Sequence, residues 1–194
     1  MSFNRVQLGG GARARRFASC LALFTLLSAG ASLVRAQEET YACLQGVPGD
    51  SVNADHMGWI VAYGLDHGSS YGTPSTFTDV SILKGTDLAS VKLHQYITQG
   101  IVLPKVVIDV CRPGGGATDC YYTLVLENVR LTQVDVAGSA CVDTAMSCTP
   151  AQTESVSFDF EKITWVYEDG TDSYCHDLMA GAACAAIPTT DCTP

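Results

Sequence analysis

Short runs in which apolar and polar positions alternate recur along most of the chain from residue 41 onward. Residues 41–47 form one run, stopped by Pro48-Gly49. Residues 59–63 form the next, and after Gly64 comes a Gly/Ser-rich stretch through Thr73-Pro74. Runs at 76–83, 104–111 and 121–136 follow, the last long enough to bend or break, and 156–167 closes the set. A period of two places one face of each run indoors, so each predicts a strand.

The last run changes phase. Val156, Phe158 and Phe160 occupy even positions, whereas Ile163, Trp165 and Tyr167 occupy odd ones. A regular pleat cannot bury both sets, so a bulge or bend is expected near Glu161-Lys162, as where a sheet curls to close a barrel. A single helix is predicted between the third and fourth runs. Thr86 or Asp87 can cap it; Ala89, Leu93, Tyr96 and Ile97 recur at helical spacing with Leu88 and Val91 beside them; Gly100 stops it and Pro104 lies just beyond. Several strands and one helix predict a mainly β fold: a small closed β-barrel of two sheets with one flanking α-helix. Residues 168–194 hold acids, small residues and three cysteines with little periodicity, and read as an irregular tail.

The start of the chain follows another logic. Arg13, Arg15 and Arg16 precede an apolar run from 20 to 32, and Val34-Arg35-Ala36 offers small residues where a signal peptidase reads. This is the pattern of a secretory signal peptide, residues 1–36, cleaved after Ala36. The run falls short of the about 20 apolar residues a membrane span needs. The expected organisation is therefore signal peptide 1–36, barrel 37–167 and tail 168–194, with a secreted or periplasmic location.

Charge sharpens the picture once that segment is set aside. The whole chain of 194 residues carries 11 basic and 20 acidic side chains, a net −9. The signal segment holds five arginines and no acid, so 158 residues with six bases and 20 acids remain, a net −14. That balance disfavours nucleic acid and anionic membranes, whose phosphates call for a basic footprint. At 47% hydrophobic and 16% charged, the composition also excludes a disordered chain.

Eight of the nine cysteines lie beyond the signal segment: Cys43, Cys111, Cys120, Cys141, Cys148, Cys175, Cys184 and Cys192. An even number behind an export signal predicts disulfides, and no Cys-x-x-Cys spacing favours zinc instead. Cys111 and Cys120 flank a Gly-rich turn between two strand-like runs, where a hairpin would place them opposite each other. Cys141 and Cys148 bracket a short polar loop. The other four leave three pairings open, one bond being expected to tie the tail to the first strand.

Candidate chemistry is sparse. Asp55-His56 and Asp66-His67 lie at opposite ends of a strand, so no metal site is expected; His56 reads as a turn residue and His67, His94 and His176 as surface residues. No Ser-His-Asp arrangement has a nucleophile-elbow context, and no Gly-x-Ser-x-Gly is read. Trp59, Tyr63, Phe158, Phe160 and Trp165 read as core aromatics. No catalytic residue, metal or cofactor is assigned.

The order of motifs resembles one family. Gly46-Val47-Pro48-Gly49-Asp50-Ser51 is followed by His56 and Gly58-Trp59-Ile60, then Phe77-Thr78-Asp79-Val80-Ser81 and the capped helix. Pro104-Lys105-Val106-Val107-Ile108, Tyr122-Thr123-Leu124, Leu126-Glu127-Asn128-Val129 and Glu154-Ser155-Val156-Ser157-Phe158-Asp159-Phe160-Glu161-Lys162-Ile163 complete it. Residues 41–167 thus resemble Hcp, the tube protein of bacterial type VI secretion systems. The resemblance implies a small two-sheet barrel with a flanking helix, and a non-enzymatic protein. It also implies hexameric rings that stack into a tube, holding effectors in the lumen and meeting a spike at the tip. An extended loop contacts neighbouring subunits in the family; here it corresponds to Asp66, His67, Gly68, Ser69, Ser70, Tyr71, Gly72, Thr73 and Pro74. The export signal, the cysteines and the tail depart from the family pattern. They motivate a second reading, an exported, disulfide-stapled binding module outside any tube.

Overall fold

The computed structural model describes residues 38–113, 119–141, 150–168, 170, 172–184 and 190–194. Its first strands are β1 (Glu39–Leu44), β2 (Ile60–Asp66), the short β3 (Ser69–Ser70) and β4 (Thr76–Phe77), and β5 (Val80–Gly85). After α1 (Ala89–Gln99) come β6 (Val102–Cys111), β7 (Cys120–Cys141), β8 (Pro150–Asp159), β9 (Lys162–Tyr167), β10 (Asp172–Asp177) and β11 (Ala182–Ala183). Strands β7-β6-β1-β2-β5-β8 are hydrogen-bonded in that order, and β8 pairs back onto β7. Six antiparallel strands therefore close a barrel, the architecture that the alternating runs predict. Strands β9, β10 and β11 extend the same sheet from the first half of β7. No described helix is long and apolar enough to cross a membrane.

Closure depends on β7, which is shared between two partners. Its residues from Tyr122 to Glu127 pair with β9, and from Arg130 onward it pairs with β8. At the junction Asn128 takes φ 54°, in the left-handed region. The buried positions of β7 then move from Leu124 and Leu126 to Val129 and Leu131. The opposite strand slips at the same level: Val156, Phe158 and Phe160 are buried before the break, and Ile163 after it. The phase change seen in the sequence is thus a break between two strands, β8 and β9, matched by a bend in the run expected to bend. Asn128 Nδ2 donates to Glu161 Oε2 at 2.8 Å, and Glu161 N donates to Glu127 O at 3.1 Å, holding the bends together.

Two expectations change. The run at 76–83 is split, because Thr78 and Asp79 leave the ladder between β4 and β5. The tail is not uniformly irregular: β10 pairs with β9 from Asp172↔Tyr167 to Asp177↔Lys162, satisfying what would otherwise be an open sheet edge.

The helix is set by its ends. Asp87 Oδ1 accepts from Ala89 N at 2.9 Å, and Ser90 Oγ accepts from Asp87 N at 3.0 Å, a reciprocal cap. Gly100 closes the other end at φ 62°, a conformation that costs glycine nothing. Ala89, Ser90 and Leu93 are buried, whereas Leu88 and Val91 face outward. The barrel interior holds Leu44, Ile60, Ile82, Leu103, Ile108, Leu126 and Phe158 among others. A second, smaller apolar cluster lies apart from it, formed by Tyr41, Cys43, Trp59, Val107, Cys111 and Val125. These alternate with interior residues along β1, β6 and β7, so they occupy the opposite, outer face of those strands. Gly49 lets the preceding turn approach this region, since a Cβ there would lie 2.5 Å from Trp59 O.

Candidate functional site

Of the expected contact loop, Asp66 remains on the barrel as the last residue of β2, paired with Ser81, and residues 67–74 leave it as an excursion. Ser69 and Ser70 pair with Phe77 and Thr76, making a small separate hairpin. Tyr71 at its tip is 98% exposed. The ring therefore contributes nothing to the core. Gly68-Ser69-Ser70-Tyr71-Gly72 has Gly-x-Ser-x-Gly spacing, a match the surrounding composition hides. It is not a nucleophile elbow, because it lies on a hairpin and Ser70 Oγ is bonded to Thr76 Oγ1 at 2.6 Å.

Beneath the hairpin runs an aromatic seam. Trp165 lies between His67, with centroids 5.6 Å apart, and Tyr174, at 5.7 Å and 19°. Phe77 contacts both Trp165 and His176. Trp165 Nε1 donates to His67 Nε2 at 3.2 Å, while His67 Nδ1 is buried with no partner among the described residues. Burial pushes the His67 pKa below the ordinary imidazole value, only partly opposed by Asp66. His67 is therefore a half-buried acceptor and not the surface residue expected. Beside the seam, Gly72, Pro74, Phe77, His176 and Leu178 line a cleft of about 390 Å³.

A buried charge cluster anchors the helix to the barrel. Lys84 is fully buried, and its Nζ lies 2.7 Å from both Glu154 Oε2 and Asp87 Oδ1. Ser90 Oγ donates to Glu154 Oε2 at 2.7 Å. One ammonium thus joins two neighbouring strands and the helix cap, an arrangement the sequence reading missed. The signal was there: Lys84 follows Val80 and Ile82 on the inward face of β5, and Glu154 precedes Val156 and Phe158 on that of β8.

The cysteines gather in two places. Cys43 is bonded to Cys192, Cys111 to Cys120, and Cys175 to Cys184. The Cys141–Cys148 pairing cannot be placed on the described residues, since Cys148 lies outside them. The first bond brings the chain end onto β1, where Gly46 N also donates to Thr193 O at 3.3 Å and Lys105 Nζ to Asp191 O at 3.3 Å. Cys192 packs with the outer cluster. His56, a turn residue as expected but only 2% exposed, belongs to the same region. Its ring stacks on Tyr41 at 4.3 Å and meets Trp59 edge-on at 4.7 Å. Its Nε2 lies 3.0 Å from Asp109 Oδ2 and 3.8 Å from Cys120 Sγ.

These features define a disulfide-stapled β-barrel with a helix buttressed by a buried ion-pair cluster and a small hairpin outside the barrel ladder. The sequence model of the family described as Type VI secretion system effector, Hcp, matches residues 41–167, and the chain belongs to that family. Solved structures agree in fold. Hcp1 from Salmonella typhimurium is 20% identical with a TM-score of 0.65, the match covering 76% of this chain and 99% of that one. A type VI secretion system effector from Yersinia pestis is 24% identical with a TM-score of 0.60, covering 71% and 98%. The secreted protein Hcp3 from Pseudomonas aeruginosa is 26% identical with a TM-score of 0.58, covering 72% and 97%. No curated protein matches the chain by sequence.

Proposed function

We propose that this chain is a non-enzymatic structural protein that assembles into rings of the Hcp kind, which stack into a tube and hold effectors in the lumen. The observation that carries the reading is the family match over residues 41–167, which takes in all six strands that close the barrel. The hairpin with Tyr71 at its tip supplies a projecting contact for a neighbouring copy. Export by the segment 1–36 delivers the chain to an oxidising compartment, where its cysteines pair. Spike and effector proteins are the further partners in this reading.

The staples favour one alternative by a specific observation. The bonded chain end, Cys192 on Cys43, occupies the outer apolar cluster and shields a face of the barrel. A barrel so covered also suits a secreted binding module working as a single unit. Negative-stain electron microscopy of the oxidised protein lacking residues 1–36 separates the two. Rings of uniform diameter support the tube protein; isolated particles at every concentration support the module.

A further inference from the structure

The outer cluster brings a histidine, an aspartate and a disulfide into direct contact. His56 Nε2, Cys111 Sγ and Cys120 Sγ all lie within 4.8 Å of one another. Asp109 Oδ2 joins them 3.0 Å from the same nitrogen, while its Oδ1 accepts from Thr123 Oγ1 at 2.6 Å. Three separate elements deliver these groups. Cys111 and Cys120 are cross-strand partners at the end of the β6–β7 ladder, and Asp109 lies two residues before Cys111 on β6. His56 comes from the turn that Gly58 N and Ser51 N close onto Ser51 O and Trp59 O. Tyr41 and Trp59 fix the ring from two sides, so Nε2 has one direction in which to point.

We propose that reducing the Cys111–Cys120 bond converts this cluster into a site for one divalent transition-metal ion, zinc foremost. Two thiolates, one imidazole and one carboxylate are a donor set that zinc accepts in tetrahedral geometry. Tetrahedral zinc with such ligands holds donor atoms roughly 3.3–3.8 Å apart. The Cys120 Sγ to His56 Nε2 separation is already 3.8 Å. The sulfurs need to part to roughly that spacing once the bond between them is gone. The chemistry balances with a dithiol as reductant. It gives two electrons and two protons to the disulfide and becomes a disulfide itself, leaving two cysteine thiols. Metal binding then displaces the two thiol protons to solvent, and the imidazole proton, which Nε2 directs at Asp109 Oδ2 in the disulfide form, moves to Nδ1 so that Nε2 is free to ligate. Disulfide and metal are therefore mutually exclusive occupants of one site, and the compartment's redox state selects between them.

The test is cobalt(II) and zinc(II) titration of the full chain, oxidised and after dithiol reduction. Reduced protein takes up one cobalt with intense near-ultraviolet thiolate-to-metal absorption, and the oxidised protein shows none. His56→Ala weakens binding more than about 100-fold, and Asp109→Asn by about 10- to 100-fold. The Cys175→Ser/Cys184→Ser variant, which removes a disulfide elsewhere, binds as the unmodified chain does. Alkylation followed by mass spectrometry locates the protection: zinc shields Cys111 and Cys120 but not Cys175 and Cys184. Equal uptake by oxidised protein, uptake unchanged in Cys111→Ser/Cys120→Ser, protection spread over all cysteines, or a reduced chain that stays unfolded with zinc present would each overturn the proposal.

Discussion

Lys84 shows how a single residue can be read correctly by pattern and still be missed by type. Its position says inward and its charge says outward, and the structure resolves the conflict with Glu154, Asp87 and Ser90. A buried ion pair adds little over a well-packed apolar pair, but losing one partner strands the other without water. Glu154→Gln or Lys84→Met should each cost about 3–5 kcal/mol in chemical denaturation. Lys84→Met combined with Glu154→Met should recover much of that loss; an additive double variant would show that the two do not act as a pair. His67 makes a pH prediction. Burial lowers its pKa in the folded state, so the unfolded chain binds the proton more readily. The neutral ring's contribution is present above the unfolded value of about 6.5 and is lost as pH falls through the lower folded value. Thermal midpoints should therefore drop across that window, and the slope should flatten in His67→Gln. The histidines were illegible beforehand because Asp109 and Trp165, their partners, lie 53 and 98 residues away.

Elements were more legible than contacts, because alternation and capping are local. The bend that closes the barrel was visible in β8 and β9, where two apolar sets collide; its counterpart in β7 was expected from the length of that run, but its place at Asn128 was not. The β7 run keeps enough apolar residues on both sides of the bend to read as one strand. β10 was hidden for another reason: Asp-Ser-Tyr-Cys-His-Asp has little apolar alternation, and the strand gains its order from pairing with β9. Asn128 tolerates left-handed backbone and bonds Glu161 as well. Asn128→Ala should cost about 1–3 kcal/mol. Asn128→Gly should cost less, since glycine keeps the conformation and loses only the side-chain bond; equal losses would mean that the bond, not the bend, matters. The Cys43–Cys192 bond closes 149 residues of chain. Cys192→Ser should cost about 2–5 kcal/mol under oxidising conditions and nothing once both proteins are reduced.

At the scale of the whole molecule the argument is about surfaces and charge. The acidity and the even set of cysteines beyond residue 36 were plain in the sequence, and so was the ordered set of motifs that led to the family. The bond from the tail to the first strand was expected from the unpaired Cys43, and the structure makes it through Cys192; that the chain end would thereby cover an outer apolar cluster was not disclosed by any local pattern. A net −14 on each copy lacking residues 1–36 opposes close packing, so assembly of that form should strengthen as salt is raised from roughly 10 mM to physiological strength, where the screening length falls to about 8 Å. Sedimentation at several ionic strengths reads this directly; weaker association in salt would point to ion pairs between subunits instead.

The most direct measurement is native mass spectrometry of the oxidised protein lacking residues 1–36, over a wide concentration range. A barrel that meets copies of itself through its projecting hairpin predicts one closed species of fixed stoichiometry, six chains in the family pattern, and Tyr71→Asp should reduce it. A single-chain mass at every concentration would contradict the account.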